Sequence, residues 1–314
     1  MFLVPSFGVN WMKGANTSFG VAMYGSGGMN SNYLSPAFGF APTGVNLSQL
    51  FVAPTVARKF AGQHSIGLTA IVSYQMFKAE GLKAFSQFSR DASKLTDNKT
   101  DSSMGIGAKV GYTGQWSKYF AAGTFYQTRI KMSKLDKYSG LFAGQGGFDI
   151  PPAWSGGVAI SPNGKVTFTA DGGRIFYSQV KSIGNPMLPN LMKARLGDEG
   201  GAGFGWQDIS IARFGVQIRP NQLWTLRGGF SAAGQPIPES EMLFNILAPG
   251  VEKHHASLGF SRVLGGGKEF HFALERAFSA SVTGPNRLEA LGRQNIRLRM
   301  DQWEAEIGFT FGKR

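Results

Sequence analysis

The stretch WEAEIGFTF, from Trp303 to Phe311, sorts its side chains by alternate positions. Every second residue back from Phe311 is apolar or aromatic, whereas the residues between them are polar, charged or small. Successive side chains of a β-strand point to opposite faces, so the pattern predicts a strand with one apolar face and one wet face. The fold then depends on whether the apolar face packs against a protein core or against lipid.

The composition of the 314-residue chain favours a barrel in a membrane. Charged residues make up 16%, below the usual level of about 25%, while Gly and Phe are abundant at 44 and 26 residues. Strands that alternate apolar and polar residues give such a balance, and no apolar run approaches the roughly 20 residues of a membrane helix. Because cysteine is absent, disulfides, thiol nucleophiles and thiolate metal sites are excluded.

The formal net charge is +13, which makes a polyanion a natural partner. Nucleic acid is the first candidate for a basic chain, but Lys and Arg are spread along the whole length without a basic run or a nucleic-acid motif. We therefore expect no nucleic-acid partner. In a barrel, the expected partners are outer-membrane lipids, the phosphates of lipopolysaccharide and a small-molecule ligand.

Thirteen segments have the alternation or the β-branched and aromatic content of strands. They span residues 2–12, 17–25, 48–60, 64–78, 103–115, 118–132, 152–161, 165–181, 206–219, 223–234, 252–264, 268–283 and 297–312. Tight turns such as KGAN at Lys13–Asn16 alternate with long connections at residues 26–47, 79–102, 133–151, 182–205, 235–251 and 284–296. This alternation is typical of outer-membrane barrels, so we predict an all-β transmembrane antiparallel β-barrel as a single domain over residues 1–314.

The predicted inner face of this barrel is polar and small, as in a wet lumen. Its charged members are Lys109, Arg129, Arg227, Glu275, Glu304 and Glu306. Charges that line a wet lumen usually pair with each other for structural reasons, and we expect that role rather than a direct role in transport.

Two stretches, VAMYGSGGMNSNY (Val21–Tyr33) and LFNILAPGVEKHHASLGFS (Leu243–Ser261), resemble the FadL/TodX family of outer-membrane transporters of hydrophobic compounds. LVPSFGVNW at Leu3–Trp11, the segment Gly205–Ser231 and the terminal strand extend the resemblance over most of the chain. It implies a fourteen-stranded barrel, plugged by an N-terminal hatch, in the bacterial outer membrane. About thirteen strands are present, and Leu3–Trp11 is similar to the family's second strand. We therefore expect the hatch, the first strand and the signal peptide to lie upstream of the sequence.

The function that the resemblance implies is passive uptake of long-chain fatty acids or aromatic hydrocarbons, without enzymatic turnover or a cofactor. The alternatives are a general porin, an outer-membrane lipid hydrolase, and a structural or phage-receptor barrel. Apolar outer loops argue against a porin, and no catalytic set of side chains stands out above chance for a hydrolase. We expect the protein to be a monomer.

Candidate ligand-binding residues lie in two long connections. Leu82, Phe85 and Phe88 recur at near-helical spacing after the family's fifth strand. They predict either a short amphipathic helix that packs on a neighbouring loop or an apolar groove that captures the ligand. The next outer loop supplies possible opposite walls: Leu135, Tyr138, Leu141, Phe142 and Phe148.

Lys78 and Lys181 are predicted at the outer ends of two strands, where two roles are open. They are either solvated lysines near lipopolysaccharide or a clamp for a fatty-acid carboxylate in the lumen, because a buried charge needs an opposite partner. Met76 stands where a second basic residue would strengthen the clamp. An uncharged hydrocarbon would need no clamp.

Three further motifs have alternative explanations. The glycines of Asp171–Arg174 predict either a β-bulge or an inward kink that opens a lateral exit. The neighbours His254 and His255 would point to opposite faces of a strand and could not chelate one metal ion. The GGGK stretch at Gly265–Lys268 lacks the spacing of a nucleotide-binding P-loop. We expect neither a metal nor a nucleotide.

Overall fold

The computed structural model describes residues 3–39, 42–287 and 294–312. These residues form one antiparallel sheet in which thirteen strands follow one another in chain order. The strands are β1 Ser6–Lys13, β2 Thr17–Tyr33, β3 Thr43–Phe60, β4 His64–Glu80, β5 Asp101–Ser117, β6 Phe120–Gln127, β8 Ala153–Ile160, β9 Val166–Ile175, β10 Ile209–Ile218, β11 Trp224–Ala233, β12 His254–Gly265, β13 Lys268–Pro285 and β14 Asn295–Phe311. The two-residue β7, Lys131–Met132, pairs with β5 outside this path.

The predicted antiparallel strands and the alternation of tight turns with long loops are confirmed. The predicted start of the first strand at Phe2 lies outside the described residues. In the described part, the sheet ends at β1 and β14, each of which pairs with one neighbour.

Helices in the described part are short and lie in the long connections. They are Lys83–Phe88, Ala92–Lys94, Asp136–Tyr138, Ala143–Gly146, Tyr177–Gln179, Lys181–Gly184, Asn190–Lys193, Glu239–Glu241 and Met242–Asn245. None of the helices that the structure describes is long and apolar enough to cross a membrane.

Several predicted strand boundaries are wrong. The predicted loop at residues 26–47 is mostly strand, because β2 continues to Tyr33 and β3 begins at Thr43. A β-bulge between Gly25 and Gly28 interrupts the register there, and a bulge breaks the period-2 pattern on which the prediction rested. In the other direction, β9 ends at Ile175 rather than near residue 181.

The pleat of each strand separates an inner from an outer face. In β4, Ile71, Gln75 and Phe77 are buried inside the barrel, whereas Leu68 and Tyr74 are exposed on the outside. The outer face of β14 is apolar as predicted, with Trp303, Ile307 and Phe309 all more than half exposed. A continuous apolar belt of this kind suits lipid as its surroundings.

The prediction of a β-bulge at Asp171–Arg174 is wrong, and the alternative of an inward kink stays a prediction. The residues of this segment keep an unbroken register with β8 on one side and β10 on the other. Close packing explains one of its glycines, because a Cβ atom on Gly173 would lie 2.8 Å from the carbonyl oxygen of Trp154. Asp171 accepts a hydrogen bond from Nη1 of Arg213 at 2.9 Å on the inner face.

Candidate functional site

Four long loops fold over one end of the barrel, and we call them the cap. They comprise residues 81–100, 133–152, 176–208 and 234–253. Buried apolar side chains from all four loops form one cluster with the inner faces of β3 and β4. Backbone hydrogen bonds join the loops directly, since Arg90 N–H donates to Leu196 O at 3.0 Å and Gly140 N–H donates to Lys94 O at 3.1 Å. The cap is therefore a packed layer rather than a set of separate loops.

The first cap loop forms the predicted short helix that packs on neighbouring loops, whereas ligand capture by its apolar residues stays a prediction. Residues Lys83–Phe88 form a short 3₁₀ helix, which turns Leu82 and Phe85 into the cluster at 1% and 4% exposure. Phe88 is partly buried and packs against the same cluster. Neighbouring loops cover these side chains, so they form no exposed apolar patch.

The second cap loop packs against β4 through its aromatic rings. The Phe77 ring makes edge contacts with Tyr138 and Phe142, with ring centroids 4.8 and 4.7 Å apart. The hydroxyl of Tyr138 donates to Lys99 O at 2.7 Å and accepts from Ala79 N–H at 3.0 Å. Burial raises the pKa of Tyr138, so the hydroxyl stays protonated as this donor requires. The other predicted wall residues, Leu135, Leu141 and Phe148, lie in the cluster or pack against it.

An apolar cavity lies inside the cap. Four of its lining residues were predicted from the sequence: Leu82, Phe85, Leu141 and Phe142. Its volume is about 40 Å³, which leaves room for about three water molecules. Ser182 is the one lining residue with a polar side chain, and its hydroxyl already donates to Gly147 O. No lining residue is charged.

The sequence prediction missed the residues that close the cavity from the third and fourth cap loops. They are Leu196, Ala202, Gly203, Phe204, Phe244 and Leu247, together with Val45 and Phe77 from the strands. The rings of Phe85 and Phe244 meet edge to face at 5.2 Å, although 159 positions separate them in sequence. The alternation in β4 could have placed Phe77 on the inner face, whereas no local pattern joins Phe85 to Phe244.

Neither predicted lysine reaches the cavity. Lys78 lies near the outer end of β4 as predicted, but it shares the outward face with Met76 and forms an ion pair with Glu80 at 2.6 Å. Lys181 does not end a strand, because it begins a short helix in the third cap loop. Its side chain is more than half exposed, and its ammonium group pairs with Glu199, whose pKa it lowers. The structure therefore does not assemble a carboxylate clamp from these two residues.

Below the cap the lumen is lined by small and polar residues. Around Lys109 it forms an open space of about 410 Å³, lined by residues such as Thr55 and Thr69. The ammonium nitrogen of Lys109 lies 4.9 Å from the centroid of the Phe125 ring. On the opposite part of the wall, Nη1 of Arg227 donates to Oγ of Ser261 at 2.7 Å.

The predicted pairing among the six lumen charges is wrong for the residues that the structure describes. Arg129 follows β6 in a loop and pairs with Asp149 at 3.9 Å, and Glu275 pairs with His255 at 2.9 Å. Arg227 bonds to neutral side chains, while Glu304 and Glu306 share the inner face of β14 without an ion pair in the described part. Water can solvate unpaired charges in an open lumen, so direct pairing is not needed there.

The two adjacent histidines lie on opposite faces of β12, as predicted. His255 points inward to Glu275, whereas the ring of His254 stacks on that of Phe230 with centroids 6.0 Å apart. The GGGK stretch forms the turn between β12 and β13, with φ of +87° at Gly265.

Comparison with solved structures shows the same fold. A toluene transporter of Pseudomonas putida, TodX, superposes with a TM-score of 0.70 at 15% identity, covering 98% of this chain and 82% of the transporter. A FadL homologue of Pseudomonas aeruginosa gives 0.70 at 14% identity, with coverages of 97% and 76%. The toluene transporter TbuX of Ralstonia pickettii gives 0.62 at 17% identity, with coverages of 96% and 79%.

The sequence itself identifies the family. No curated protein matches the chain by sequence. The profile of the family described as outer membrane protein transport protein (OMPP1/FadL/TodX) matches residues 1–282, which is most of the chain. This confirms the predicted resemblance, the outer-membrane location and the absence of an enzymatic role. The chain belongs to the OMPP1/FadL/TodX family of outer membrane transport proteins.

Proposed function

We propose that the cap cavity captures uncharged hydrophobic small molecules as the first step of their passive uptake across the outer membrane. The observation that carries this proposal is the lining of the cavity, which is apolar and aromatic apart from one hydroxyl that is already bonded within the cap. Such a lining favours a ligand that brings apolar surface and needs few polar partners.

The energy of capture fits a transporter rather than a storage site. Burying an aromatic group of the size of a Phe side chain contributes roughly 1.5–3 kcal/mol. Association entropy offsets part of that gain, so binding is weak and the ligand leaves readily. Weak, reversible binding is what passive transfer through several sites requires.

The cavity must widen before a ligand enters, because its present volume of about 40 Å³ holds only a few water molecules. Leu141 and Phe244 line the cavity and are only partly buried. Rotation of these two side chains would open the cavity with the least loss of buried surface. Phe77 and Leu82, each 1% exposed, would form its fixed wall.

The charges around the cap support an uncharged hydrocarbon over a fatty acid as the ligand. A carboxylate in the cavity would lose its hydration without gaining a cationic partner, which is strongly unfavourable. The two candidate cations point elsewhere and already have carboxylate partners, Glu80 for Lys78 and Glu199 for Lys181. Two of the similar solved structures are described as toluene transporters, which agrees with this choice.

After capture, the ligand would pass from the cap to the wider lumen below. More polar groups line that lumen than line the cap cavity, so it would hold a hydrophobic ligand less tightly than the cap does. Because the lumen holds the ligand less tightly, the ligand moves from the cap into the lumen only when the ligand concentration there is low. Release through movement of a hatch or opening of the wall would complete the passage.

Equilibrium dialysis of radiolabelled toluene against the purified chain in detergent tests this proposal. We expect saturable binding that Phe85→Ser weakens at least tenfold. The matched control is Phe125→Ser, which removes a ring from the lower lumen and should leave binding unchanged. Lys78→Ala and Lys181→Ala should also leave it unchanged.

A long-chain fatty acid added as a competitor distinguishes the two ligand classes. We expect it to displace toluene only weakly, because its carboxylate has no partner in the cavity. Strong displacement that depends on Lys78 or Lys181 would refute the choice of an uncharged ligand. An equal loss of toluene binding in Phe85→Ser and Phe125→Ser would refute the cap as the capture site.

A further inference from the structure

Two arginines project from the outer wall of the barrel near its outer end. Arg297 and Arg299 flank Leu298, which is 4% exposed and packs inward against Ile237 and Met242. Because side chains alternate along a strand, both arginines face outward, and both are exposed. They therefore stand on the wall that faces lipid rather than on the lumen.

Three other outward-facing cations at this end of the barrel pair with carboxylates. Lys78 pairs with Glu80 at 2.6 Å, Arg174 with Asp208 at 3.7 Å, and Arg276 with Asp301 at 2.6 Å. A paired cation of this kind presents little net charge to the membrane surface.

Arg297 and Arg299 differ because hydroxyl groups are their neighbours. Nη2 of Arg297 donates to Oγ of Ser281 at 3.4 Å, and Nε of Arg299 donates to Oγ of Ser279 at 3.0 Å. No carboxylate in the described part of the chain lies within ion-pair distance of either guanidinium. Two positive charges and two hydroxyl groups thus share one small area of the outer wall.

The height of this area corresponds to the headgroup level of the outer leaflet. From Phe311 to Trp303 the exposed apolar face of β14 extends about 26 Å along the strand, or about 20 Å of height at the usual strand tilt. Arg299 lies four positions beyond Trp303, which adds about 10 Å. Since the apolar band of such barrels is about 25 Å tall, Arg299 stands just above it.

We propose that Arg297 and Arg299, assisted by Ser279 and Ser281, bind the phosphate group of an outer-leaflet lipid, namely lipopolysaccharide. Guanidinium groups bind phosphate oxygens through paired N–H donors, and the serine hydroxyls can donate as well. The lipid chains would lie along the apolar face around Trp303. This site accounts for part of the positive charge of the chain and is independent of the ligand captured in the cap.

Native mass spectrometry of the delipidated chain in detergent, titrated with bis-phosphorylated lipid A, tests the proposal. We expect Arg297→Gln/Arg299→Gln to weaken binding about tenfold or more, because each arginine near a charged membrane surface contributes on the order of 1 kcal/mol. The matched control is Arg174→Gln, which removes an outward arginine that already has a carboxylate partner and should leave binding unchanged. Each variant is run on a gel with and without heating. A difference in electrophoretic mobility between the unheated and the heated sample verifies that the variant forms a barrel.

Two ligand arms identify the source of the phosphate. Dephosphorylated lipid A should bind the wild-type chain and the Arg297→Gln/Arg299→Gln variant weakly and equally. Inorganic phosphate should fail to displace lipid A, because it lacks the acyl chains. Arg297→Lys/Arg299→Lys keeps the charge but loses the paired N–H donors, so its affinity should lie between those of the wild-type chain and the glutamine variant; an affinity equal to the wild type would contradict guanidinium binding even where the glutamine variant does not fold. Equal binding of lipid A by the wild-type chain and the folded glutamine variant would overturn the proposal. The proposal would also be overturned if the glutamine substitutions weakened the binding of dephosphorylated lipid A as much as they weaken the binding of lipid A.

Discussion

The cap and the lower lumen are two parts of the interior of one barrel, yet they are packed in opposite ways. In the cap, Phe77 and Tyr138 are almost fully buried and the remaining cavity measures about 40 Å³. In the lower lumen, the space around Lys109 measures about 410 Å³. The same strands build both regions, so the difference comes from the residues on their inner faces and from the loops above them.

Strand β4 passes through both regions and shows this change residue by residue. Its inward residues at the cap end are Phe77 and Gln75, whereas those toward the short turns are Thr69, Gly67 and Ser65. Large inward side chains meet the loops and exclude water, while small ones leave a channel. A transporter of hydrophobic compounds thus places its apolar contacts near the entrance and keeps the passage below wide.

Truncation of a ring in the cap should have the largest effect on stability. We expect Phe77→Ala to lower the free energy of unfolding by about 3–5 kcal/mol, because it leaves a cavity beside Tyr138 and Phe142. Phe125→Ala removes the same ring from the lower lumen, where the side chain is 36% exposed, and should cost less than about 1 kcal/mol. Denaturant unfolding in detergent measures both, and equal losses would contradict the contrast between the regions.

Removal of a buried polar group from the cap should have the next largest effect. Asn245 is fully buried, accepts from Nε1 of Trp206 at 2.6 Å and donates to the carbonyl oxygens of Phe204 and Glu241. Asn245→Ala leaves these groups without partners, so we expect a loss of about 1–3 kcal/mol in unfolding free energy. Faster proteolysis of the cap loops would accompany it, and unchanged proteolysis would argue against this junction as a fixed part of the cap.

A similar deletion in the lower lumen should cost less. Ser261 bonds both to Arg227 and to Nδ1 of His271, each at 2.7 Å. In Ser261→Ala, lumen water can replace the lost hydroxyl, so we expect a change of about 0.5–1.5 kcal/mol in the same unfolding measurement. A loss larger than that of Asn245→Ala would mean that the lower lumen is as dry as the cap.

The smallest expected effect is a pH dependence in the fourth cap loop. Burial raises the pKa of Glu252 above its ordinary value of 4.5, and its Oε1 atom is buried without a hydrogen-bond partner in the described part. His255 opposes this shift and Asp301 adds to it. Because the folded state holds the proton more tightly than the unfolded state, this contribution is fully present below pH 4.5 and is lost as the pH rises through the folded pKa.

Glu252→Gln removes the ionisable group and tests this sign. We expect the variant to be slightly more stable than the wild-type chain at about pH 8, with the difference gone at about pH 4. Thermal unfolding at the two pH values measures it. A variant that is less stable at the higher pH would show that ionised Glu252 has a favourable partner in the cap.

The strands and the order of turns and loops could be predicted from sequence because the period-2 pattern is local. Trp303–Phe311 needs only its own residues to identify an inner and an outer face. The pattern failed at Gly25–Gly28, where a bulge changes the register, and near Lys181, which lies in a helix beyond the end of β9. In both places the outcome depends on pairing with the neighbouring strand, which the local sequence does not show.

The cap could be predicted only in part, because its contacts join distant loops. Leu82, Phe85 and Phe142 stood out as apolar residues in long connections, whereas Phe204 and Phe244 gained their positions only through the folding of four loops together. The partners of the lumen charges were predicted wrongly for the same reason. Their partners, such as Ser261 for Arg227 and Asp149 for Arg129, depend on register and loop position across the barrel.

The central claim is that the dry cap, and not the wet lumen, holds the hydrophobic ligand first. A crystal structure of the protein soaked with bromobenzene tests it directly, since the anomalous signal of bromine locates the ligand. The account predicts bromine density between Phe85 and Phe142, with Leu141 or Phe244 rotated away from its present position. Bromine density beside Lys109 or Arg227 with an unoccupied cap would contradict it.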